Sequence, residues 1–341
     1  MVRRPEVLLV MDDRARKMQF GPEEETRLRA LARLGEPVRV TAYDTPEAKE
    51  RLADVEVLLT SWGAPRITAE VLDLAPNLRA VLHCAGTVRP LVSDAVWERG
   101  LLVTNAVAEN ALPVAEFTVA AIFMAGKKAP FLANIARTRR DDWSYLGEHE
   151  VLSNRDRVVG IVGFSRTGRQ VVARLTVQGS GPEAQELLVA DPFADPAAVA
   201  EAGARLVSLD ELLAASDIVS LHVPELPSTR KLIGARELAL MPDGATLINT
   251  ARGAVVDTAA LERECAGGRI YAMLDVTEPE PLPAESVLYD LPNVMITPHV
   301  AGSLGTETRR MTAAALDELE RYARGDSPRS AVTRADMEFV A

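Results

Sequence analysis

The chain has 341 residues, 48% of them apolar and 26% charged, and a formal net charge of −11. That length exceeds what one hydrophobic core usually serves and points to two domains. The acidic balance and the 4% aromatic content exclude a protein built to coat nucleic acid or an anionic membrane surface.

Two cysteines, Cys84 and Cys265, rule out a disulfide framework and fit a reducing cytoplasm. No Cys/His spacing suggests a metal site. Arg3 and Arg4 precede a short apolar run that stops at Asp12-Asp13. That run, 6–11, reads as a first strand and not as a signal peptide. A helix is expected over 22–34, with Gly35 placed to end it. Further strands are expected at 38–42, 55–60, 78–83 and 101–104, with helices over 68–74 and 90–98 between them. Strands alternating with helices imply a parallel sheet covered on both faces.

A long, mostly buried helix is expected over 112–128. Its apolar stretch, 112–126, carries Glu116 and is too short to span a bilayer. A polar stretch over 137–150 follows, holding Trp143 and His149. A second alternating series then begins, with strands at 158–162, 187–190, 218–222, 246–249, 270–274 and 294–296. After Gly302 a helix should run to about Gly325, and a polar tail follows it. No fixed-period repeat is present.

The run from Val158 to Gly168 reads as strand, tight turn and helix, the context of a dinucleotide fingerprint. Gly163 permits the turn, and Gly168 lets the helix pack close to the strand. The helix start, at Ser165, Arg166 and Thr167, offers free N–H groups and a positive dipole end to a pyrophosphate. Ser165 stands where the fingerprint has its second glycine; its hydroxyl can donate to phosphate. The next strand ends at Asp191, an acid suited to ribose hydroxyls and repellent to a 2′-phosphate, which favours NAD over NADP. The connection is longer than the usual spacing of about twenty residues, through the extra residues 178–184.

Ligands of open α/β sheets lie beyond the C-terminal strand ends. Arg252, Asp275 and His299 all fall at such ends, with Glu280 close behind Asp275. Oxidising a 2-hydroxy acid needs a base near neutral pKa, which histidine supplies. It also needs a cation whose planar fork matches a carboxylate, which arginine supplies. A carboxylate behind the imidazole, such as Glu280, would fix its tautomer. Of the other histidines, His83 reads as buried structure, His149 as solvated, and His222 as packing or cofactor edge.

These residues resemble the D-isomer-specific 2-hydroxyacid dehydrogenase family. Four stretches carry the resemblance: Pro113-Val114-Ala115-Glu116, Asn249-Thr250-Ala251-Arg252-Gly253, Asp275-Val276 with Glu280-Pro281, and the run 293–302 around Thr297-Pro298-His299. The resemblance implies two Rossmann-like α/β domains with doubly wound parallel sheets. The substrate domain, flavodoxin-like and discontinuous, would comprise 1–110 and 303–341, and an NAD-binding domain would occupy 111–302. It implies Arg252 as the substrate arginine, Glu280, and not Glu278, as the histidine's partner, and His299 as acid/base. The cofactor would meet Arg166, Thr167, Val223, Pro224, Thr229, Thr250, Ala251, Asp275 and Gly302. The loop Ala85-Gly86-Thr87 would hold the substrate carboxylate. A homodimer through the long apolar helix is also implied.

The loop continues Val88-Arg89-Pro90, where the family commonly has a Gly-Val-Asp-Asn run. Arg89 could add a second cation for a substrate bearing phosphate or phosphonate, or it could be an exposed helix-start arginine. Formate dehydrogenases pair their histidine with glutamine, so Glu280 argues against them. A phosphite-type dehydrogenase shares the Arg, Glu and His set. An NAD-sensing corepressor-like protein is the alternative outside enzymology.

Overall fold

The structure, a computed structural model, describes residues 3–148, 152–178 and 186–338. His149 and the inserted residues 179–184 lie outside the described residues. The chain divides into two compact units, Met1–Asn110 with Ser303–Ala341, and Ala111–Gly302.

The first unit begins β1 (Glu6–Val10), α1 (Asp13–Gln19), α2 (Pro22–Leu31), β2 (Arg33–Val40), α3 (Pro46–Leu52) and β3 (Val57–Thr60). It continues α4 (Ala69–Leu74), β4 (Ala80–His83), α5 (Asp94–Glu98) and β5 (Leu102–Thr104). The sheet order is β2-β1-β3-β4-β5, every pair parallel. Successive side chains of a strand face opposite ways. Val7, Leu9, Leu59 and Leu82 therefore enter one core, while Leu8, Val10, Leu58 and Val81 enter the other. All eight are fully buried, each contributing roughly 1.5–3 kcal/mol on an aliphatic scale. This two-faced burial is why the strands read as continuous apolar runs.

Two sequence expectations fail here. The helix over 22–34 stops at Leu31, and Gly35 lies inside β2 rather than ending a helix. Ala32 turns extended, and Arg33 N–H donates to the Pro5 carbonyl at 2.9 Å. Pairing with β1 satisfies backbone groups that one more helical turn would leave at a frayed end. The helix over 90–98 is likewise cut to Asp94–Glu98, because Val92 bridges to Ile67. The short helices α1 and α3 carried too little periodicity to be read. Side-chain caps start them: Asp12 accepts from Ala15 N–H, and Thr45 from Ala48 N–H.

Two helices follow, α6 (Val107–Gly126) and α7 (Ala129–Thr138). The first starts five residues before the expected 112, and the second occupies sequence to which no element was assigned, ending just inside the polar stretch that begins at 137. By length and composition α6 could cross a bilayer, which corrects the reading from 112–126 alone; 39% of its apolar window is buried. Lys128 separates the helices in a left-handed conformation, φ 51°. Its buried ammonium donates to the Gly244 carbonyl at 2.6 Å and Thr246 Oγ1 at 2.7 Å, and lies 4.0 Å from the Tyr271 ring centroid.

The second unit continues β6 (Val158–Val162), α8 (Arg166–Gln178), β7 (Glu186–Ala190), α9 (Pro196–Glu201), β8 (Arg205–Leu206) and α10 (Leu209–Ala215). It is completed by β9 (Ile218–Leu221), α11 (Ala235–Leu240), β10 (Thr246–Asn249), α12 (Thr258–Ala266), β11 (Tyr271–Leu274) and β12 (Val294–Ile296). The order β12-β11-β10-β9-β6-β7-β8 is parallel throughout. The order in which strands are added to the sheet reverses between β6 and β9. That switch point opens a crevice above the carboxyl ends of both strands.

The last helix, α13 (Thr308–Arg324), belongs to the first unit and buries Leu316 and Leu319 with Val7 and Leu9. Gly325 ends it with φ 77°, the left-handed cap that glycine supplies without strain. The polar stretch that follows is held at several points. Val332 N–H donates to the Val103 carbonyl at 2.8 Å, and Ala331 forms an antiparallel bridge with Thr104. The exposed edge of β5 explains the capture, since an unpaired edge offers free N–H and C=O groups.

Candidate active site

The switch point of the second unit carries the glycine turn. Gly163 has φ 97°, and a Cβ there would lie 2.9 Å from the His222 backbone carbonyl. A Cβ on Gly168 would lie 2.1 Å from the Gly163 carbonyl oxygen. Both glycines are thus required by close backbone approach. Ser165 caps α8 by accepting from Gly168 N–H at 3.3 Å, which leaves its own hydroxyl proton free to donate. The first-turn N–H groups of Arg166 and Thr167 have no carbonyl a turn earlier to bond. The start of a 13-residue helix with such free donors is suited to an anion.

Asp191 follows β7. Its Oδ2 accepts from Phe164 N–H at 2.7 Å and its Oδ1 from Phe193 N–H at 2.9 Å. The carboxylate is thereby fixed beside the glycine turn, with a lone pair on each oxygen still available to hydroxyl donors. These features fit a dinucleotide: tight turn, helix start, hydroxyl donor and acid. Thr229 staples the loop after β9, donating to the Pro224 carbonyl at 2.6 Å and accepting from Leu226 N–H at 2.8 Å. Val223 meets the turn from this side, its Cγ1 2.8 Å from a Cβ built on Gly163. Thr250 is tied to Thr118 of α6 by a 2.8 Å hydroxyl bond.

At the ends of β10, β11 and β12 the other polar residues gather. Asn249 is 1% exposed and organises the turn after β10. Its Oδ1 accepts from Ala251 N–H at 3.0 Å and its Nδ2 donates to the Arg252 carbonyl at 2.9 Å. Among the described residues the half-buried Arg252 side chain donates only to the Ala251 carbonyl, at 2.6 Å. Among the described residues it has no carboxylate partner, so its charge is open to an anion.

His299 Nδ1 donates to Glu280 Oε1 at 2.6 Å, with the imidazole 53% exposed. Glu278 instead accepts from Arg230 at 3.3 Å. His299 sits in the left-handed region with φ 54°, a conformation costing a non-glycine residue about 1–2 kcal/mol. Asp275 holds it there. The Asp275 carbonyl accepts from His299 N–H at 3.0 Å. Its carboxylate accepts from Thr297 Oγ1 at 2.6 Å, Val300 N–H at 2.8 Å and Ala301 N–H at 2.9 Å. Gly302 closes this unit. Asp275 was read as a cofactor neighbour; its turn-anchoring bonds, and those of Asn249, were not read. The available signal was weak: an Asx residue at a strand end often bonds the following backbone.

The remaining histidines of the described chain are buried. His83 shares a 2.9 Å bond with Thr60 Oγ1, and burial lowers it to about 4. His222 shares one of 2.9 Å with Ser220 Oγ and is lowered by burial to about 3. Among the described residues no cluster of His, Cys, Asp and Glu is arranged to hold a metal ion.

In the first unit, the loop after β4 leaves Gly86 and Thr87 half-exposed. The Ala85 carbonyl accepts from Ala106 N–H at 2.9 Å, and Thr87 Oγ1 accepts from Arg89 N–H at 3.2 Å. The exposed Arg89 guanidinium donates to the Met337 carbonyl.

Residues 119–301 match the model of the D-isomer specific 2-hydroxyacid dehydrogenase NAD-binding domain. The chain is 36% identical over 279 residues to a D-3-phosphoglycerate dehydrogenase of Mycobacterium tuberculosis, covering 80% of this chain and 51% of that protein. It thus spans about half the length of such relatives. A glyoxylate reductase of Aeropyrum pernix is 34% identical over 300 residues, covering 86% of each chain. The crystal structure of D-lactate dehydrogenase from Aquifex aeolicus, complexed with NAD and lactic acid, superposes with a TM-score of 0.70 at 26% identity, covering 94% of this chain and 96% of that one.

Proposed function

The chain belongs to the D-isomer specific 2-hydroxyacid dehydrogenase family, and on that premise we propose that it interconverts a D-2-hydroxy acid and the matching 2-oxo acid with NAD. The observation that carries the reading is the 2.6 Å bond from His299 Nδ1 to Glu280. It fixes the proton on Nδ1 and leaves Nε2 to exchange a proton with the substrate hydroxyl. Arg252 binds the carboxylate and polarises the 2-oxo group. Ala85, Gly86 and Thr87 receive the substrate carboxylate on backbone and hydroxyl groups. Arg89 is left out of that set because its guanidinium is engaged by the Met337 carbonyl.

The cofactor supplies hydride transfer at the substrate carbon. Gly163, Ser165, Arg166, Thr167 and Gly168 hold its pyrophosphate, and Asp191 takes the ribose hydroxyls, which selects NAD over NADP. Val223, Pro224, Thr229, Thr250, Ala251 and Gly302 complete that surface, and Asp275 beside it anchors the turn that carries His299. A second copy of the chain covers the apolar face of α6, where Met124 is 41% exposed. The reducing compartment suited to two free cysteines is the cytoplasm.

The test follows absorbance at 340 nm with NADH and a panel of 2-oxo acids varied in tail charge. Turnover is expected on at least one acid, with loss of roughly 10²–10⁴-fold in His299→Asn, the range of general acid–base catalysis. Tight NADH binding with no turnover on any acid would overturn the enzymatic reading and favour a sensor.

A further inference from the structure

The loop that the proposed function assigns to the substrate carboxylate is held from the far end of the chain. Glu318 of α13 is 4% exposed. Its Oε1 accepts from Arg329 N–H at 2.9 Å, Ser330 N–H at 2.8 Å and Ser330 Oγ at 2.9 Å. Three donors on one buried carboxylate oxygen fix where the chain leaves α13. From there it runs antiparallel along β5. Asn105 N–H donates to the Ser330 carbonyl at 3.3 Å, and Val332 N–H to the Val103 carbonyl at 2.8 Å. Thr333 and Asp336 then close a turn by two 2.7 Å bonds, and Arg334 pairs with Asp94 at 2.9 Å. Val332 and Met337 rest on the apolar core beneath.

This segment, 329–337, bonds the substrate loop directly at one end and is linked to it through Asn105 and Ala106 at the other. At one end it binds Asn105, whose neighbour Ala106 donates to the Ala85 carbonyl at 2.9 Å. At the other end the Met337 carbonyl accepts from the Arg89 guanidinium. Gly86 and Thr87 lie between the two fixed points. A backbone that must present N–H groups to a carboxylate gains from being fixed before the ligand arrives, since ordering it on binding costs affinity.

We propose that residues 329–337 form a strap that positions the substrate-carboxylate loop, with Arg89 and Glu318 as positioning residues. The arginine at the unusual place in the loop thus serves the strap and is not a second substrate cation. The inference rests on the reading of Ala85, Gly86 and Thr87 as the carboxylate site.

The test compares Arg89→Ala, Arg89→Lys, Glu318→Ala and Glu318→Gln with the parent. KM and kcat are measured for glyoxylate, hydroxypyruvate and 3-phosphohydroxypyruvate, and amide exchange of residues 85–90 is read by mass spectrometry. Arg89→Ala and Glu318→Ala should each raise KM about 3- to 10-fold, the worth of one hydrogen bond, with kcat within about twofold. Exchange in the loop should quicken in both. Arg89→Lys and Glu318→Gln, which keep a donor and an acceptor, should restore most of the effect. If Glu318→Ala fails to fold, Val332→Pro removes the bond to Val103 and should give the same phenotype.

The strap is overturned if folded Glu318→Ala or Val332→Pro leaves KM and loop exchange unchanged. It is also overturned if Arg89→Ala penalises the phosphate-bearing acid far more than glyoxylate, which would make the arginine a direct substrate contact. Absence of turnover in the parent would sink the functional reading, while the exchange measurement would still decide whether the strap orders the loop.

Discussion

Removing the Asp275 carboxylate should disable His299 without touching it. The carboxylate accepts from Thr297 Oγ1, Val300 N–H and Ala301 N–H within 2.9 Å, and the residue is 3% exposed. A buried donor left without a partner costs about 1–3 kcal/mol. In Asp275→Ala the Thr297 hydroxyl can rotate to another acceptor, but the two amides cannot, giving a loss of about 2–6 kcal/mol. Against these bonds stands the left-handed backbone of His299 at φ 54°, worth about 1–2 kcal/mol. The bonds outweigh the strain while the carboxylate is present and lose to it once the carboxylate is gone. Asp275→Asn is the finer probe, because it keeps one acceptor and turns an amide donor toward the Ala301 N–H. A displacement of His299 by about 1 Å should cost roughly 10²-fold in kcat. The assay is kcat with NADH and a productive 2-oxo acid, beside NADH affinity by fluorescence and stability by urea. Lower kcat and stability with NADH affinity retained is expected. Wild-type kcat and stability in Asp275→Asn would refute the anchoring argument, and a loss confined to NADH affinity would make Asp275 a cofactor contact instead.

Asp191→Ala should weaken NADH binding far more than NADPH binding; an unchanged ratio of the two dissociation constants would remove Asp191 from cofactor selection. Gly168→Ala drives a Cβ to within 2.1 Å of the Gly163 carbonyl, so NADH affinity should fall at least about tenfold as the helix start shifts, a cost of the 1–3 kcal/mol class; wild-type affinity by titration would mean that the helix start is not the pyrophosphate site. His83 and His222 are lowered from 6.5 to about 4 and about 3 by burial. The unfolded chain therefore binds more protons than the folded one below about pH 6.5, and stability falls as pH drops from there toward 4, by up to about 1.4 kcal/mol per unit for each histidine. Urea titrations at several pH values should show that fall reduced in His83→Asn, and equal slopes in both proteins would contradict it.

Most strands of the second unit were legible because they are short, largely buried apolar runs set between polar or turn-forming residues. Val158–Val162, Thr246–Asn249 and Val294–Ile296 fall at the bounds that pattern predicts. The two-residue strand β8 and the short helices α1 and α3 were not legible, since so few residues carry no period. The extension of β2 back to Arg33 was hidden for another reason: 22–34 has helical spacing, and only the presence of β1 alongside makes the extended form preferable.

By itself the sequence determined the class of fold, the place of the glycine turn, and the chemical types that gather at the strand ends. Those follow from local pattern, because periodicity and turn chemistry act over a few residues. Only the tertiary structure showed which distant groups each acid meets. Local pattern does not separate Glu280 from Glu278, two residues apart in a polar loop; the family resemblance chose Glu280, and in the fold it reaches His299 while Glu278 meets Arg230. Asp275 likewise proved to bind the backbone of residues more than twenty positions on, and Arg89 a carbonyl 248 positions away. A hydrogen bond depends on a few ångströms of space, and sequence separation does not encode that distance until the chain has folded.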